Sequence, residues 1–173
     1  GEIISADSRQ VYKGLDLLSG KERDSRVPQH CIDIASLRRR YTVADYKKDA
    51  ARAITDVAAR GKLPIMVGGT GLYIDAVARG ITIPNVQPNH ALRARLAGKS
   101  PAELLRMLRR LDAARARTID PHNPRRLIRA IEIARAIGAV PAPATSTPYR
   151  ALKIGIALPE SELKKRIAER LDK

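Results

Sequence analysis

The 173-residue sequence contains no Phe and no Trp, and only five Tyr, three His and one Cys. With aromatics at 3% and apolar residues at 44%, any core has to be built from aliphatic side chains. Cys31 stands alone, so no disulfide can form within the chain, which suits a reducing cytosol; a cytoplasmic location is expected. No apolar run approaches the ~20 residues of a membrane span, and no charged-then-apolar leader opens the sequence, so no membrane partner is expected. Acidic residues are also scarce: eighteen Asp and Glu face thirty-three Lys and Arg, for a formal charge of +15. Such an excess draws a chain to nucleic acid, an anionic membrane or phosphorylated ligands, unless it merely solvates an Arg-rich surface. His30, His90 and His122 keep no zinc-ligand spacing with Cys31, which argues against a metal cage. Ser8 has no evident His and acid partner, which argues against nucleophilic catalysis.

What is present begins with a short buried strand, Glu2 to Ala6, carrying two adjacent β-branched residues and no helical period. It enters with no initiator Met and no preceding element, as an excerpt of a longer chain would. The strand runs into Asp7-Ser8-Arg9-Gln10, which offers a carboxylate, a hydroxyl, a guanidinium and an amide. In a parallel α/β sheet the chemistry lies beyond the carboxyl ends of the strands, where a carboxylate can serve as a general base. The alternative is that Asp7 or Ser8 only caps the following segment.

Lys13 to Val27 reads as a loop with one turn, and Cys31 to Ile34 as a second strand. Thr42 and Asp45 form a capping box, followed by Val43, Tyr46, Ala50, Ile54 and Val57 at helical spacing until Gly61. Leu63 to Val67 reads as a third strand, apolar on both faces as in the centre of a parallel sheet. Gly68-Gly69-Thr70-Gly71 and a helix over Leu72 to Ala78 complete the strand, turn and helix layout of an anion-binding unit. Thr70 can meet a phosphate or nucleotide there, or cap the helix, or both. Beyond Ile83 come short helices: one over His90 to Ala97, one capped by Ser100 with Pro101 and Glu103, and one from Asn123 to near Gly138. The last places Arg125 and Arg129 on one face with Arg126 beside them, opposite the apolar Leu127, Ile131 and Ala134. Such guanidinium forks suit phosphate contact, or form a solvated face. A Pro- and Ala-rich linker over Ala139 to Thr147, a strand over Ala151 to Leu158 and a helix over Glu160 to Asp172 close the sequence. The expected domains are an incomplete α/β core at 1–83, a basic helical insert at 84–147 and a return to the core at 148–173.

A phosphate-binding loop of the form G-x-x-x-x-G-K-[ST] is absent. Its nearest candidate, Gly14 to Glu22, has five residues between its glycines, a Glu where a hydroxyl should hold magnesium, and no strand before it.

Together these stretches resemble the tRNA dimethylallyltransferase (isopentenyl-tRNA transferase) family, from Glu2 to about Arg170. The matching blocks are Ile3 to Asp16, Pro28 to Ile34, Tyr41 to Tyr46, Gly61 to Tyr73 and Asp120 to Glu132. The resemblance implies a P-loop NTPase-like α/β fold, a parallel sheet core with an inserted all-helical subdomain. It also implies transfer of a dimethylallyl group from dimethylallyl diphosphate, with Mg²⁺, to N6 of adenosine 37 beside the tRNA anticodon. Asp7 matches the family's general base, and Asp7 and Thr70 its catalytic positions. Asp7, Ser8, Arg9, Gln10, Thr70, Arg93, Arg125, Arg126, Leu127, Ile128 and Arg129 match positions that contact tRNA. The expected partners are the tRNA anticodon stem-loop and dimethylallyl diphosphate, with the protein a monomer. The family's N-terminal phosphate-binding loop and the part following Lys173 are absent, so this stretch alone is expected to be inactive. Leu17 to Lys21 departs from the family's small-residue pattern, which leaves Lys21 a weak diphosphate-binding candidate. Two rival readings are an adenylate isopentenyltransferase acting on free nucleotide, which needs no Arg-rich insert, and a non-catalytic basic RNA-binding module.

Overall fold

The computed structural model describes residues 1–21, 26–142 and 145–171. Glu22 of the rejected loop, residues 143–144 of the expected linker and Asp172 at the end of the expected final helix lie outside them. The elements run β1 (Glu2–Ser5), α1 (Asp16–Ser19), β2 (Gln29–His30), α2 (Val43–Ala59), β3 (Pro64–Val67) and α3 (Gly71–Ala78). They continue as α4 (His90–Leu96), α5 (Pro101–Leu111), α6 (Ala113–Thr118), α7 (Pro124–Ile137) and α8 (Glu160–Leu171).

The three strands form a parallel sheet in the order β2-β1-β3, with Ile4 opposite His30 on one side and Ser5 opposite Val67 on the other. The chain is therefore α/β. Because β1 and β3 run the same way, their carboxyl ends finish side by side. The central strand is β1, not β3: Ile4 is fully buried, whereas Ile65 and Val67 are 44% and 52% exposed. The continuous apolar run at Leu63 to Val67 fits either place in the sheet, so only pairing separates the two. The second strand also sits earlier than expected. Gln29 and His30 take the pairing positions, and the chain then turns through Cys31 at φ 60° and Asp33 at φ 55°, which no strand can contain. Cys31 is buried in the core instead.

Helix α2 covers the sheet. Its Thr42–Asp45 capping box forms as expected, its buried stripe is Tyr46, Ala50 and Val57, and Gly61 reverses the chain at φ 68°. Tyr46 and Ala50 of this stripe join Ile4, Val11, Tyr73 and Val77 in one apolar cluster. A second, separate cluster joins Leu92, Leu96, Leu104, Leu108, Leu127 and Ile131 of α4, α5 and α7. Every helix there starts on a side-chain cap: Asn89, Ser100 in a full capping box, Asp112 and Asn123. Helix α6 is additional to the expected set; the Asp112 cap ahead of an Ala- and Arg-rich run was its signal.

The strand expected over Ala151 to Leu158 does not form. Leu152, Ile154 and Ile156 are 87%, 82% and 90% exposed, and the segment pairs with no strand among the described residues. Alternating apolar residues favour a strand only when a free edge lies alongside. The outer sides of β2 and β3 are the edges it could join, and it runs along neither; it is tethered instead to α3 by Lys153 Nζ on Asp75 Oδ1 at 2.8 Å. No helix among the described residues is long and apolar enough to cross a membrane.

Candidate nucleic-acid and catalytic site

The parallel sheet delivers two turns to one place. Hydrogen bonding between β1 and β3 continues past the strand ends, with Ala6 N donating to Val67 O at 2.7 Å and Thr70 N donating to Ala6 O at 3.1 Å. Gly68 sits so close to Ala6 that a Cβ there would collide with the Ala6 carbonyl group. Glycine is thus required for the approach, though its backbone angle is ordinary. Thr70 holds the N-cap position of α3 but makes no cap bond. Its Oγ1 accepts the Ser8 amide at 3.0 Å and lies 3.3 Å from Ser8 Oγ. Asp7, Ser8 and Thr70 are thereby held on one surface beyond the strand ends.

Asp7 is half-buried. Its Oδ1 accepts the amides of Arg9 at 2.7 Å and Gln10 at 3.3 Å, which fixes the carboxylate plane and leaves Oδ2 without a partner among the described residues. The capping role and the base role are compatible, because they use different oxygens. Arg9 is exposed beside it. Gln10 points elsewhere: its Oε1 accepts from Ser5 Oγ at 2.9 Å, and its Nε2 donates to the carbonyls of Ser19 and Gly20. It ties the α1 loop to the sheet. Lys21 is likewise internal, with a 1% exposed side chain whose Nζ donates to Tyr12 O and Asp33 Oδ1 at 2.6 Å each. A lysine committed in this way has no open face for a diphosphate.

Under the two turns lies an aromatic floor that the scarcity of Tyr concealed. Tyr73 of α3 stacks on Tyr46 of α2 with ring centroids 4.0 Å apart and planes 12° apart. Burial, with the nearby Tyr12, Asp45 and Asp7, pushes the Tyr73 hydroxyl up to about 12. Tyr12 Oη accepts the Tyr41 amide at 3.1 Å, and Tyr41 Oη donates to Asp49 at 2.8 Å.

On the helical side, Arg125 and Arg126 are exposed in the first turn of α7. Leu127 is fully buried, which closes its side chain to an RNA, while Ile128 packs partly buried against the same cluster. Arg93 and Arg129 belong to a buried network that the sequence did not announce. Glu132, 1% exposed, accepts Arg93 Nε at 2.7 Å and NH2 at 2.6 Å, Arg129 NH1 at 3.3 Å and the Asn89 amide at 2.9 Å. Burial works to raise the Glu132 carboxyl, but Arg93, the Asn89 amide and Arg129 together hold it below its ordinary value. Arg129 NH2 also donates to Val86 O at 2.8 Å. These two arginines pin α4 and the 84–89 segment to α7. A second buried carboxylate, Glu2, is bound by Lys62, His30 and Arg60 at 2.8, 2.7 and 2.6 Å on the far end of β1. An acidic residue opening an apolar strand was the one sign of it.

The two cavities described, of about 440 Å³ between Lys13 and Asp49 and about 280 Å³ between Val86 and Ala136, both lie away from Asp7. Among the described residues no three His, Cys, Asp or Glu side chains come together as metal ligands. A magnesium ion accompanying a diphosphate would thus take its ligands from the diphosphate, water or residues other than these.

Residues 10–173 match a family model described as IPP transferase. A tRNA dimethylallyltransferase of Thermomicrobium roseum is 42% identical over 100% of this chain and 56% of its own length. The tRNA dimethylallyltransferase 2 of Treponema denticola is 45% identical over 99% and 60%. The full-length tRNA isopentenylpyrophosphate transferase from Bacillus halodurans superposes with a TM-score of 0.62 at 36% identity, over 99% of this chain and 56% of that one. A eukaryotic dimethylallyltransferase, crystallised acting on tRNA, gives 0.63 at 26% identity over 77% and 35%. The chain spans 56–60% of the length of these curated relatives. A match to the family model over residues 10–173, on an α/β sheet that brings its first and third strand ends together, has one meaning: this chain belongs to the IPP transferase family.

Proposed function

We propose that the protein to which this chain belongs is a cytosolic, monomeric tRNA dimethylallyltransferase, using dimethylallyl diphosphate with Mg²⁺ and modifying N6 of the adenosine beside the anticodon. The observation that carries the reading is the Asp7–Thr70 surface, where a carboxylate with one free oxygen stands over the joined ends of β1 and β3. The N6 lone pair attacks C1 of the dimethylallyl group. The C1–O bond breaks with its electron pair going to the diphosphate, and Asp7 Oδ2 takes the N6 proton. A neutral exocyclic amine is a weak nucleophile, and a positioned base contributes about 10²- to 10⁴-fold. Thr70 keeps the Ser8 amide in place and so holds the Asp7 turn against the glycine turn. An unpaired loop adenine turned out of its stack fits such a surface, with the exposed Arg125 and Arg126 available to the phosphates of the stem. The division into a core at 1–83, a tRNA-gripping insert at 84–147 and a returning segment at 148–173 belongs to the same proposal.

The test is Asp7→Asn in the intact protein. Asn can still accept the Arg9 and Gln10 amides through its carbonyl, so the turn survives while the base is lost. A fall in kcat of about 10²-fold or more with tRNA affinity retained is expected. Full turnover in the variant would remove Asp7 from the chemistry.

A further inference from the structure

We infer that the 440 Å³ bowl between the 34–36 segment and the first turns of α2 is a subsite for a backbone phosphate of the RNA whose adenine lies at the Asp7–Thr70 surface, an inference that rests on the functional reading above.

Positive charge exceeds negative charge within the bowl. Its lining includes Lys13, Arg39 and Lys48 with Asp45 and Asp49. Both carboxylates are already used. Asp45 accepts Arg39 NH2 at 3.1 Å on one oxygen, and the Thr42 amide and hydroxyl at 2.9 and 2.7 Å on the other. Asp49 accepts the Tyr41 hydroxyl at 2.8 Å and lies 3.8 Å from Arg52. Arg39 is balanced by Asp45 and Asp49 by Arg52, so what remains is the pair of ammonium groups on Lys13 and Lys48. Neither has a hydrogen-bond or ion-pair partner among the described residues. Ser36, in the same wall, uses its Oγ as an acceptor for the Arg38 amide at 3.3 Å, which leaves its O–H proton to donate. Two compact ammonium groups and a hydroxyl around one concavity are the donor set of a phosphate group.

Position assigns the phosphate to a strand rather than to a small molecule. The bowl is open, with Lys13, Ser36 and Lys48 all exposed, so a chain can pass through it. Lys13 is six residues beyond Asp7 on the same loop. That length of chain reaches at most about 20 Å, the span of a few nucleotides.

The experiment measures tRNA binding by the intact protein across a salt series. In Lys13→Gln/Lys48→Gln the dissociation constant at ~0.15 M salt should rise about 3- to 10-fold. The slope of log K against log salt should shrink by about one unit for each phosphate no longer neutralised. Lys13→Arg/Lys48→Arg should restore the slope, which separates a charge effect from a folding defect. Lys164→Gln/Lys165→Gln on α8 removes the same charge elsewhere and should leave the slope unchanged. An unchanged slope in the first variant, or an equal loss in the α8 variant, overturns the inference alone. So does a raised KM for dimethylallyl diphosphate with tRNA binding intact. A wild-type protein that fails to bind tRNA overturns the functional reading and this inference with it.

Discussion

Glu132 shows how one residue can convert a row of candidate ligand contacts into a structural joint. Arg93 and Arg129 have the guanidinium forks that recognise phosphate, yet both are committed to a carboxylate with 1% exposure. Removing one member of a buried ion pair leaves the rest desolvated and unpaired, at a cost of about 3–5 kcal/mol when all groups are buried. Here the arginines are 30% and 33% exposed, so water recovers part of that loss. Glu132→Ala is expected to destabilise the helical part by about 2–3 kcal/mol, measured by denaturant unfolding. Arg125→Ala and Arg126→Ala, on the exposed side, should leave stability within about 0.5 kcal/mol. If phosphate contact were the whole role of Arg93, Glu132→Ala would leave stability unchanged.

At the scale of elements, the two turns beyond β1 and β3 depend on their backbone contact. A Cβ at position 68 would run into the Ala6 carbonyl oxygen, so Gly68→Ala forces the turns apart. We expect a loss of about 1–3 kcal/mol and a fall in kcat, because Asp7 and Thr70 no longer share one surface. Refolded Gly68→Ala with wild-type melting and turnover would disprove the contact. The helices depend on their caps in the same local way. Ser100 accepts the Glu103 amide and Glu103 accepts the Ser100 amide, so Ser100→Ala should cost about 1 kcal/mol by thermal unfolding. Asp112 does double duty, since its second oxygen accepts the Val140 amide at 2.8 Å and fastens the segment after α7.

For the whole molecule, acid should act through Glu2. Lys62 and His30 lower its carboxyl from an ordinary 4.5 to about 2, against the opposing effect of burial and with further help from Arg60. A carboxyl depressed on folding stabilises the folded state fully above its unfolded value and progressively less as pH falls. This contribution is therefore complete above about pH 4.5 and lost between there and about 2. Glu2→Gln should lower stability at neutral pH and flatten the acid limb of a Tm-against-pH curve. An acid limb identical to that of the wild type would show that the Glu2 cluster does not govern it. The sequence as a whole carries a formal charge of +15, so under the proposed function tRNA affinity should fall steeply with added salt.

Much of this was legible in the sequence by itself, because the controlling interactions are local. The Thr42–Asp45 and Ser100–Glu103 boxes, the Asn123–Pro124 start of α7 and the Gly61 stop require only neighbours in the chain, and all formed as expected. The family blocks likewise brought Asp7 and Thr70 forward as site residues. What the tertiary structure alone decided was everything that depends on a distant partner. It placed β1 rather than β3 at the centre of the sheet, moved the second strand to Gln29–His30, and left Ala151 to Leu158 unpaired. It turned Lys21, Gln10, Arg93 and Leu127 inward, and it stacked Tyr73 on Tyr46 under the site. A cap finds its donor within three residues, whereas a strand edge, a buried carboxylate or a stacked ring finds its partner only once the chain has closed on itself.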